Sequence, residues 1–578
     1  MAAGFRPGVV AAALVALMLG LPWNGALPTA SAQAVSVTAA SPSTAAQGAS
    51  NLNVTISGKN FKAGAAVTFY RAGSTSDKGG ITVNSTTYKR SAQVIANISV
   101  DKGAATGSFD IHVAVPGVGT GVGSARFTVT PKPIDPCTSG PPAATTADTS
   151  GAPGSRDAAF GAGSGVVIGP RFMEATAFAV QHVGEEERIV VVGRSRDRCA
   201  GGSWEWTIVR YLPGGELDTG FGTNGVVTKT FAQGEVSLSA VAIDHAGRIV
   251  VGGYRHASAS DNYGFVARYT VDGHLDTTFA PDGVEPGIRS LSLERYMTEA
   301  RAIAIQPDGK IVIAGTDGGA MAIFRLTDAG AWDTAEFNPG AERPQRPGRY
   351  VWVEAPGWAY AVAVQGAGIL VAGRRGVMRD DDTWDHDGAV WRFTTEGLPD
   401  STFGTSGVMT TGFDHTYDEF RAMTLDGSGR IVVTGSRNEG PSWSDPVSAV
   451  LARYDSNGTL DLGFNRGAPV VLRQEGWSTH SPSALAITSQ GAILVGGSAS
   501  KRDAGGYNIF QGAGLWRFDS DGQLDTATWP NGWIVDTLLV DGQYPSWYGL
   551  ALQEDGKVIA AGRSTWGASF PVLIRFWQ

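Results

Sequence analysis

The sequence predicts an all-β protein in which a β-sandwich precedes a seven-bladed β-propeller. A short apolar segment that closes on glycine recurs seven times after residue 156, and each copy holds about four strand-like segments. The closing glycines lie 58 to 65 residues apart, at Gly193, Gly253, Gly315, Gly373, Gly435, Gly497 and Gly562. A period of this length with four strands per unit is typical of propellers and solenoids.

Residues 1–32 have the pattern of a cleavable signal peptide. Arg6 precedes an apolar run over residues 9–21, and Ala30, Ser31 and Ala32 form a small-residue cleavage site. The run is shorter than the ~20 apolar residues that a membrane span needs. We therefore expect cleavage after Ala32 and a secreted or extracytoplasmic mature chain without a membrane span.

Residues 33–133 alternate apolar and polar side chains in several short runs, among them NLNVTISG (51–58), AQVIANISV (92–100) and GSFDIHVAV (107–115). Such strands at regular spacing predict a β-sandwich of about one hundred residues. The segment around Gly58, Asn60, Phe61 and Gly64, with GITVNST at 80–86, resembles the IPT/TIG-type immunoglobulin-like domain. That resemblance implies an immunoglobulin-like fold and a spacer or binding module of a surface or secreted protein.

Residues 134–155 are rich in Pro, Ser, Thr, Ala and Gly, which predicts a linker without a core of its own. Cys137 lies in this linker, and the second of the two cysteines, Cys199, lies in the first repeat. In an exported chain the pair predicts one disulfide bond. The alternative is two unrelated thiols.

The repeats fill residues 156–578 and have complementary ends. The last copy stops at VLIRFWQ (572–578) and lacks the Asp-x-x-Phe-Gly segment and the strand that follows it in the other copies. That missing piece stands before the first copy, as DAAFGAGSGVVIG at 157–169. We therefore expect the N-terminal strand at 164–169 to complete the last blade and close the ring, which removes an exposed sheet edge.

The repeat also resembles a known one. AIAIQPDGKIVIAG (302–315), FVARYTVDGHLDTTF (265–279) and LDTGFGTNGVV (217–227) are similar to the delta-60 β-propeller repeat. This resemblance spans residues 156–578. It implies a bacterial exported or surface protein, and it brings no general catalytic role.

Each copy carries an arginine in its third strand and an aspartate three or four residues before an aromatic residue. The arginines are Arg210, Arg268, Arg325, Arg392, Arg453, Arg517 and Arg575, and the aspartates are Asp157, Asp218, Asp276, Asp333, Asp400, Asp461 and Asp525. Seven arginines in a ring could bind an anion. We favour a structural Arg–Asp pair in each blade, because a half-buried arginine needs a partner and one is present at constant spacing.

One acidic stretch differs from the tight Asp-Gly turns of the other copies. It runs over residues 379–387, and Asp380, Asp382, Asp385 and Asp387 could bind Ca²⁺ in the variable loop of the fourth blade. The alternative is a solvated acidic loop. No other cofactor is expected.

The irregular segments of all copies are predicted to emerge on one face of the propeller, and they carry most tryptophans outside the strands. Aromatic side chains beside charged ones are typical of protein and carbohydrate sites, although the same aromatics could fold inward and cap the blades. The candidate ligand-binding residues are Trp358, Tyr360, Trp384, Tyr417, Trp443, Trp477, His480, Trp547, Tyr548 and Trp566.

These features favour an exported protein that binds an extracellular protein or glycan. The formal net charge of −9 disfavours a nucleic-acid partner. The alternative is a carbohydrate-active hydrolase or lyase with acidic and histidine groups at the rim of one face. Its candidates are His386, His415, His480, Asp414, Asp418 and Glu419, but no spacing among them demands catalysis, so no catalytic residue is assigned.

Overall fold

The computed structural model describes residues 34–130 and 150–578. Short gaps fall at 198, 200, 232–233, 259–260, 293–297, 342–345, 353, 379–383, 413–416, 441–446, 473–478, 503–507, 537–544 and 565–568. The chain divides into two compact units, Met1–Pro133 and Ile134–Gln578. The predicted signal peptide and Cys137 lie outside the described residues. Within those residues no helix is long and apolar enough to cross a membrane.

The first unit consists of two four-stranded sheets that share one hydrophobic core. Its strands are β1 (Ser36–Ser41), β2 (Thr44–Ala46), β3 (Leu52–Lys59), β4 (Ala66–Arg71), β5 (Ile81–Arg90), β6 (Gln93–Val100), β7 (Gly107–Val115) and β8 (Gly119–Thr130). The sheet orders are β1-β3-β6-β5 and β2-β8-β7-β4. Every second residue of β6 is buried, and Val94 and Ile98 pack with Phe69 and Phe109 of the other sheet. The alternation in the sequence is therefore the inward and outward alternation of a two-layer unit.

The second unit contains seven four-stranded antiparallel sheets in its described part, which we number 1 to 7. In strand order, sheet 1 is β10 (Met173–Val183), β11 (Glu186–Ser195), β12 (Glu205–Tyr211) and β13 (Val226–Lys229); sheet 2 is β14 (Glu235–Ile243), β15 (Ile249–Ser258), β16 (Asp261–Tyr269) and β17 (Ile288–Ser290); sheet 3 is β18 (Thr298–Ile305), β19 (Ile311–Asp317), β20 (Ala320–Leu326) and β21 (Arg349–Val351).

Sheets 4 to 7 repeat this order. Sheet 4 is β22 (Gly357–Gln365), β23 (Gly368–Met378), β24 (Trp384–Phe393) and β25 (Val408–Thr411); sheet 5 is β26 (Glu419–Leu425), β27 (Ile431–Asn438), β28 (Val447–Tyr454) and β29 (Val470–Leu472); sheet 6 is β30 (Thr479–Ile487), β31 (Ile493–Arg502), β32 (Asn508–Phe518) and β33 (Trp533–Asp536); sheet 7 is β34 (Pro545–Leu552), β35 (Val558–Ser564), β36 (Phe570–Phe576) and β9 (Val166–Ile168). In the described part, short 3₁₀ turns lie at Asn465–Gly467 and Pro530–Gly532.

The sheets follow one another around a central axis as a β-propeller. The first strand of each sheet contacts the first strand of the next, and β10 of sheet 1 contacts β34 of sheet 7. Sheet 7 is built from both ends of the unit, because β9 pairs antiparallel with β36 through Val167 opposite Leu573. The second strands are buried along their central residues, and Ile311–Asp317 is buried at every residue, because these strands have a strand on each side and a sheet against each face.

The first strand of every sheet contains a β-bulge at the same place. The pairing register shifts by one residue opposite the closing glycine, as between Ala300 and Ala302 in sheet 3. A β-carbon on Gly315 would lie 1.8 Å from the carbonyl oxygen of Glu299, so only glycine fits opposite the bulge. The sequence suggested that the second strands end at this glycine. That expectation is wrong, because all seven continue beyond it.

Candidate functional site

The seven first strands enclose a cavity of about 500 Å³, to which each strand contributes three consecutive residues. The first of the three is the extra residue of the bulge, and these seven positions form what we call the channel mouth: Thr176, Ser239, Arg301, Tyr360, Arg421, Ser483 and Tyr548. The third is an apolar residue deeper in the channel, and these are Phe178, Val241, Ile303, Val362, Met423, Leu485 and Leu550. The mouth lies at the end where the first strands begin, so the variable segments emerge there.

The three small residues of the channel mouth hold neighbouring sheets together. The Thr176 hydroxyl donates to the carbonyl of Leu238 at 2.6 Å, across the boundary between sheets 1 and 2. Ser239 donates in the same way to Ala300 at 2.5 Å, and Ser483 donates to the carbonyl of Trp547. These three bulges therefore bond the next sheet through a hydroxyl group, whereas the remaining four carry arginine or tyrosine.

Arg301, Tyr360 and Arg421 come from three consecutive sheets and form one wall of the mouth. The guanidinium carbons of Arg301 and Arg421 lie 5.4 Å and 4.5 Å from the centroid of the Tyr360 ring. Each arginine is also paired with a glutamate of its own strand, Arg301 with Glu299 at 2.5 Å and Arg421 with Glu419 at 2.5 Å. The wall thus combines an aromatic face with two cations.

Tyr548 stands on the far side of the channel, in sheet 7, with the guanidinium carbon of Arg563 5.2 Å from its ring centroid. Burial raises the pKa of Tyr548, and burial followed by the charge of Glu419 raises the pKa of Tyr360. Both hydroxyls consequently stay protonated at neutral pH and can donate hydrogen bonds.

Beside Tyr360, side chains at the boundary between sheets 4 and 5 contact one another, and we call this cluster the Trp358 cleft. It contains Trp358, Arg374, His386, Tyr417 and Glu419. The Arg374 guanidinium lies 4.0 Å from the Trp358 ring centroid, and its Nη1 is 3.7 Å from Glu419 Oε2. The His386 ring stacks on Tyr417 with centroids 5.3 Å apart. Burial and then the charge of Arg374 lower the pKa of His386 to about 4, so the imidazole is neutral at pH 7.

The structure brings four of the ten candidate ligand-binding residues, Trp358, Tyr360, Tyr417 and Tyr548, to the mouth and the Trp358 cleft. Trp384 and His480 lie in β24 and β30, and their side chains are outside the described part, as are the whole residues Trp443, Trp477 and Trp566.

Trp547 was also predicted to lie on the ligand-binding face, and this is wrong. It is 1% exposed and packs in the core between sheets 6 and 7 with Leu494 and Val558. It immediately precedes the bulge residue of β34, so its side chain enters the core while Tyr548 turns into the channel.

The acidic stretch is only partly a loop. Asp380 and Asp382 lie outside the described residues, whereas Asp385 and Asp387 lie within β24, which begins at Trp384. Asp385 is 7% exposed and accepts a hydrogen bond from the backbone N–H of His386 at 2.7 Å. The expectation of a four-aspartate loop is therefore wrong for these two residues. Elsewhere in the described part, His182, Glu187 and Glu554 have ligand atoms within 4.8 Å of one another, at the opposite end of the propeller.

The candidates for rim catalysis are only partly brought together. His386 and Glu419 share the Trp358 cleft, whereas Asp418 is 1% exposed and its backbone N–H donates to the His386 carbonyl at 2.8 Å. Asp414 and His415 lie outside the described residues. Cys199 is exposed, and because Cys137 is outside the described residues the disulfide stays a prediction.

The structure places the arginine and aspartate of each repeat side by side, away from the cavity. Arginine Nε lies 2.7 to 2.8 Å from the carboxylate in the pairs Arg210–Asp218, Arg268–Asp276, Arg325–Asp333, Arg392–Asp400, Arg453–Asp461, Arg517–Asp525 and Arg575–Asp157. Six of the arginines also donate through Nη1 to a carbonyl in the turn of the next sheet. Among the described residues Arg517 Nη1 has no such partner, because sheet 7 takes its fourth strand, β9, from a distant part of the chain and has no turn directly after β36.

Arg301, Arg374 and Arg421 were not predicted as site residues. A usable signal was present for Arg301 and Arg421, since the bulge residue stands directly before the small–large alternation of each copy, as in Arg301 before AIAI. That column varies among Thr, Ser, Arg and Tyr, whereas the residue after it is Ala in six copies and Gly in the seventh. The bulge could not be predicted from the sequence, and it is the bulge that turns the side chains at this position toward the channel.

Comparisons with known proteins support the propeller and leave the function open. Residues 188–221, 247–279, 306–335 and 427–464 match the model of a β-propeller family described as a domain of unknown function, DUF5122. No curated protein matches the sequence.

Several solved structures are similar at low identity. They include Drosophila Plexin A in complex with Semaphorin 1b (10% identity, 70% of this chain and 86% of that chain, TM-score 0.35). A protein of unknown function from Dyadobacter fermentans (14%, 71% and 97%, TM-score 0.36) and a glucose dehydrogenase (12%, 71% and 98%, TM-score 0.34) are also similar. Binding proteins and enzymes both occur in this set, and at these TM-scores neither carries an argument for this chain.

Proposed function

We propose that the chain is an exported binding protein that recognises an extracellular protein or glycan at the channel mouth. The observation that carries this proposal is the unequal filling of seven equivalent positions. Three bulges carry Ser or Thr bonded to the next sheet, while four carry Arg301, Tyr360, Arg421 and Tyr548. A purely structural position repeats its residue, as the Arg–Asp pairs do, whereas a ligand site needs different groups at different places.

The finer architecture belongs to the same proposal. We infer a seven-bladed ring of the delta-60 type closed by β9, an IPT/TIG-like immunoglobulin-like domain at residues 33–133, and a linker at 134–155. Seven four-stranded sheets in the described part and the two-sheet first unit support this. Cleavage after Ala32 would export the chain, and a disulfide between Cys137 and Cys199 would tie the linker to the loop after β11.

The aromatic groups favour a glycan or a protein loop as the ligand. Tyr360 and Tyr548 line the cavity, and the half-buried Trp358 ring lies beside it with Arg374 stacked above. Aromatic side chains with a polar tip contribute large contact areas in both kinds of interface. The alternative function is a carbohydrate-active hydrolase or lyase. The observation in its favour is that neutral His386 lies beside Glu419 in the Trp358 cleft.

A panel of immobilised glycans, polysaccharides and extracellular proteins tests the proposal. We expect the chain to be retained by a member of the panel without turnover, and Tyr548→Ala to lower retention by about tenfold, as for an aromatic hot spot. Tyr88→Ala, which removes an exposed tyrosine of the first unit, is the matched control and should leave retention unchanged.

Turnover of a panel member would contradict the proposal of binding without catalysis and support the hydrolase or lyase alternative. Retention that is equal for Tyr548→Ala and the wild type, with equal Tm, would exclude the channel mouth as the site.

A further inference from the structure

The charge of the cavity is one-sided. Among the described residues that line it, the charged ones are Arg301 and Arg421, and both are cations. They project into a cavity of about 500 Å³, which is within the ~300–1,000 Å³ of ordinary small-ligand sites. The chain as a whole carries a formal charge of −9, so the cavity has the opposite charge to the protein overall.

The neighbouring glutamates do not fully neutralise the arginines at this end of the channel. Glu419 pairs with Arg421 at 2.5 Å and also lies 3.7 Å from Arg374, while Glu299 accepts a further hydrogen bond from Asn262 at 2.8 Å. Three arginines, Arg301, Arg374 and Arg421, thus share two carboxylates, which leaves one positive charge in excess.

The arginines also keep free donors. A guanidinium has five N–H groups. Within the described part of the chain, Arg301 pairs with Glu299 through Nη2 and Arg421 bonds Glu419 through Nε, so the Nη1 group of each arginine is left for a ligand. The two side chains are 32% and 45% exposed, so a ligand in the cavity can reach them.

We propose that the channel mouth binds an acidic saccharide, with uronic acid carboxylates held by Arg301 and Arg421. A planar carboxylate matches the guanidinium fork, and charge-assisted bonds of this kind are about twice as strong as neutral ones. The Tyr360 ring lies between the two arginines and packs against both guanidinium groups, and the Tyr548 hydroxyl can donate from the far side. The apolar ring that includes Phe178, Ile303 and Met423 forms the floor. A neutral sugar would desolvate the remaining guanidinium donors without supplying a negative charge, so it should bind more weakly.

This inference rests on the proposed function and narrows it to one ligand class. Calorimetry on the full mature chain tests it with trigalacturonate and its methyl ester, two ligands of equal shape that differ in charge. We expect the acid to bind and the ester to bind at least about tenfold more weakly, as expected when charge-assisted bonds are lost. The affinity for the acid should fall as salt rises from about 50 mM to about 500 mM, because screening weakens exposed ion pairs.

Two variants locate the contact. Arg421→Gln and Arg301→Gln should each weaken binding of the acid by about tenfold, since a charged bond is lost, and Arg90→Gln, at an exposed arginine of the first unit, should not. Equal binding of acid and ester, or full affinity in both cavity variants, overturns the inference. Equal affinity for galactose 6-phosphate overturns the carboxylate assignment. The salt series uses the wild-type chain, so it stays decisive even if a variant fails to fold.

Failure here can be told apart from failure of the proposed function. If a panel ligand is retained through Tyr548 but trigalacturonate does not bind, the binding function stands and the acidic-saccharide assignment is wrong. If neither binds, the proposed function itself is contradicted.

Discussion

Replacing Asp276 by alanine should destabilise the propeller strongly. The Arg268 side chain is 2% exposed, and its Nε donates to Asp276 Oδ2 at 2.8 Å. Removing the carboxylate leaves a buried guanidinium without its main partner, which costs about 3–5 kcal/mol. The hydrogen bonds from the Thr278 amide (3.0 Å) and hydroxyl (2.5 Å) to Asp276 are lost as well. Asp328, whose Oδ1 is 3.2 Å from Arg268 Nη1, offsets part of the loss, so we expect about 3 kcal/mol.

The assay is denaturant unfolding followed by tryptophan fluorescence. Glu285→Ala is the control, since it removes an exposed carboxylate whose partner is Lys229 at 2.7 Å, and it should cost less than about 1 kcal/mol. A loss for Asp276→Ala no larger than that of the control would refute the view that the Arg–Asp pairs hold the sheets together.

The pH dependence gives a second readout for the same variant. Burial alone would raise the pKa of Asp276, but the Thr278 hydrogen bonds and the Arg268 ion pair outweigh it and lower the pKa. The stabilisation is therefore complete above the unfolded-state value of about 4 and is lost as the pH falls further. The wild type and Asp276→Ala should converge in stability below about pH 4, and a constant difference would contradict this cause.

Three further predictions follow from the bulge, the cleft and the core. Gly315→Ala places a β-carbon 1.8 Å from the Glu299 carbonyl, so it should cost more than about 2 kcal/mol by denaturant unfolding and should weaken ligand retention. Trp547→Ala should cost about 3–5 kcal/mol in the same assay, because it empties a buried indole site. His386 has a folded-state pKa of about 4, so the free energy of unfolding should fall as the pH drops from about 6.5 to about 4, and His386→Gln should flatten that slope by about 1 kcal/mol, allowing for partial exposure.

Each of these has a contrary result. A stable Gly315→Ala variant with full retention would show that the bulge tolerates a side chain. An unchanged Tm for Trp547→Ala would show that the Trp547 side chain is not packed in the core. Identical pH profiles for the wild type and His386→Gln would show that the imidazole is not desolvated in the cleft.

The regular part of the propeller could be predicted because it repeats. Arg268 and Asp276 are eight residues apart, as are their counterparts in five other copies, and a buried cation at constant distance from a carboxylate has one simple explanation. The pairing of β9 with β36 could also be predicted from the repeat, because the last copy lacks a segment that is found instead before the first copy.

The candidate site could be predicted only in part, because a bulge reverses which side chains face inward. A shift of one residue moves a side chain to the other face of a strand. Trp547 and Tyr548 are adjacent, and nothing in their immediate sequence tells which of them enters the core. Arg301 and Arg421 were missed for the same reason, because the sequence does not show that the bulge turns their side chains toward the channel.

The acidic stretch at residues 379–387 shows that composition alone does not distinguish a loop from a strand. Four aspartates close together resemble a loop on composition alone, yet residues from Trp384 onward pair with β23, as Asp387 does with Arg375. Strand pairing with a neighbour is a tertiary effect, and it overrides the local preference of charged residues for loops.

A crystal structure of the chain with the best-retained panel ligand tests the central claim most directly. We expect ligand density in the cavity, near Tyr360 and Tyr548, with an acidic group within hydrogen-bond distance of Arg301 or Arg421. Density on the first unit or at the opposite end of the propeller, near His182 and Glu554, would contradict it.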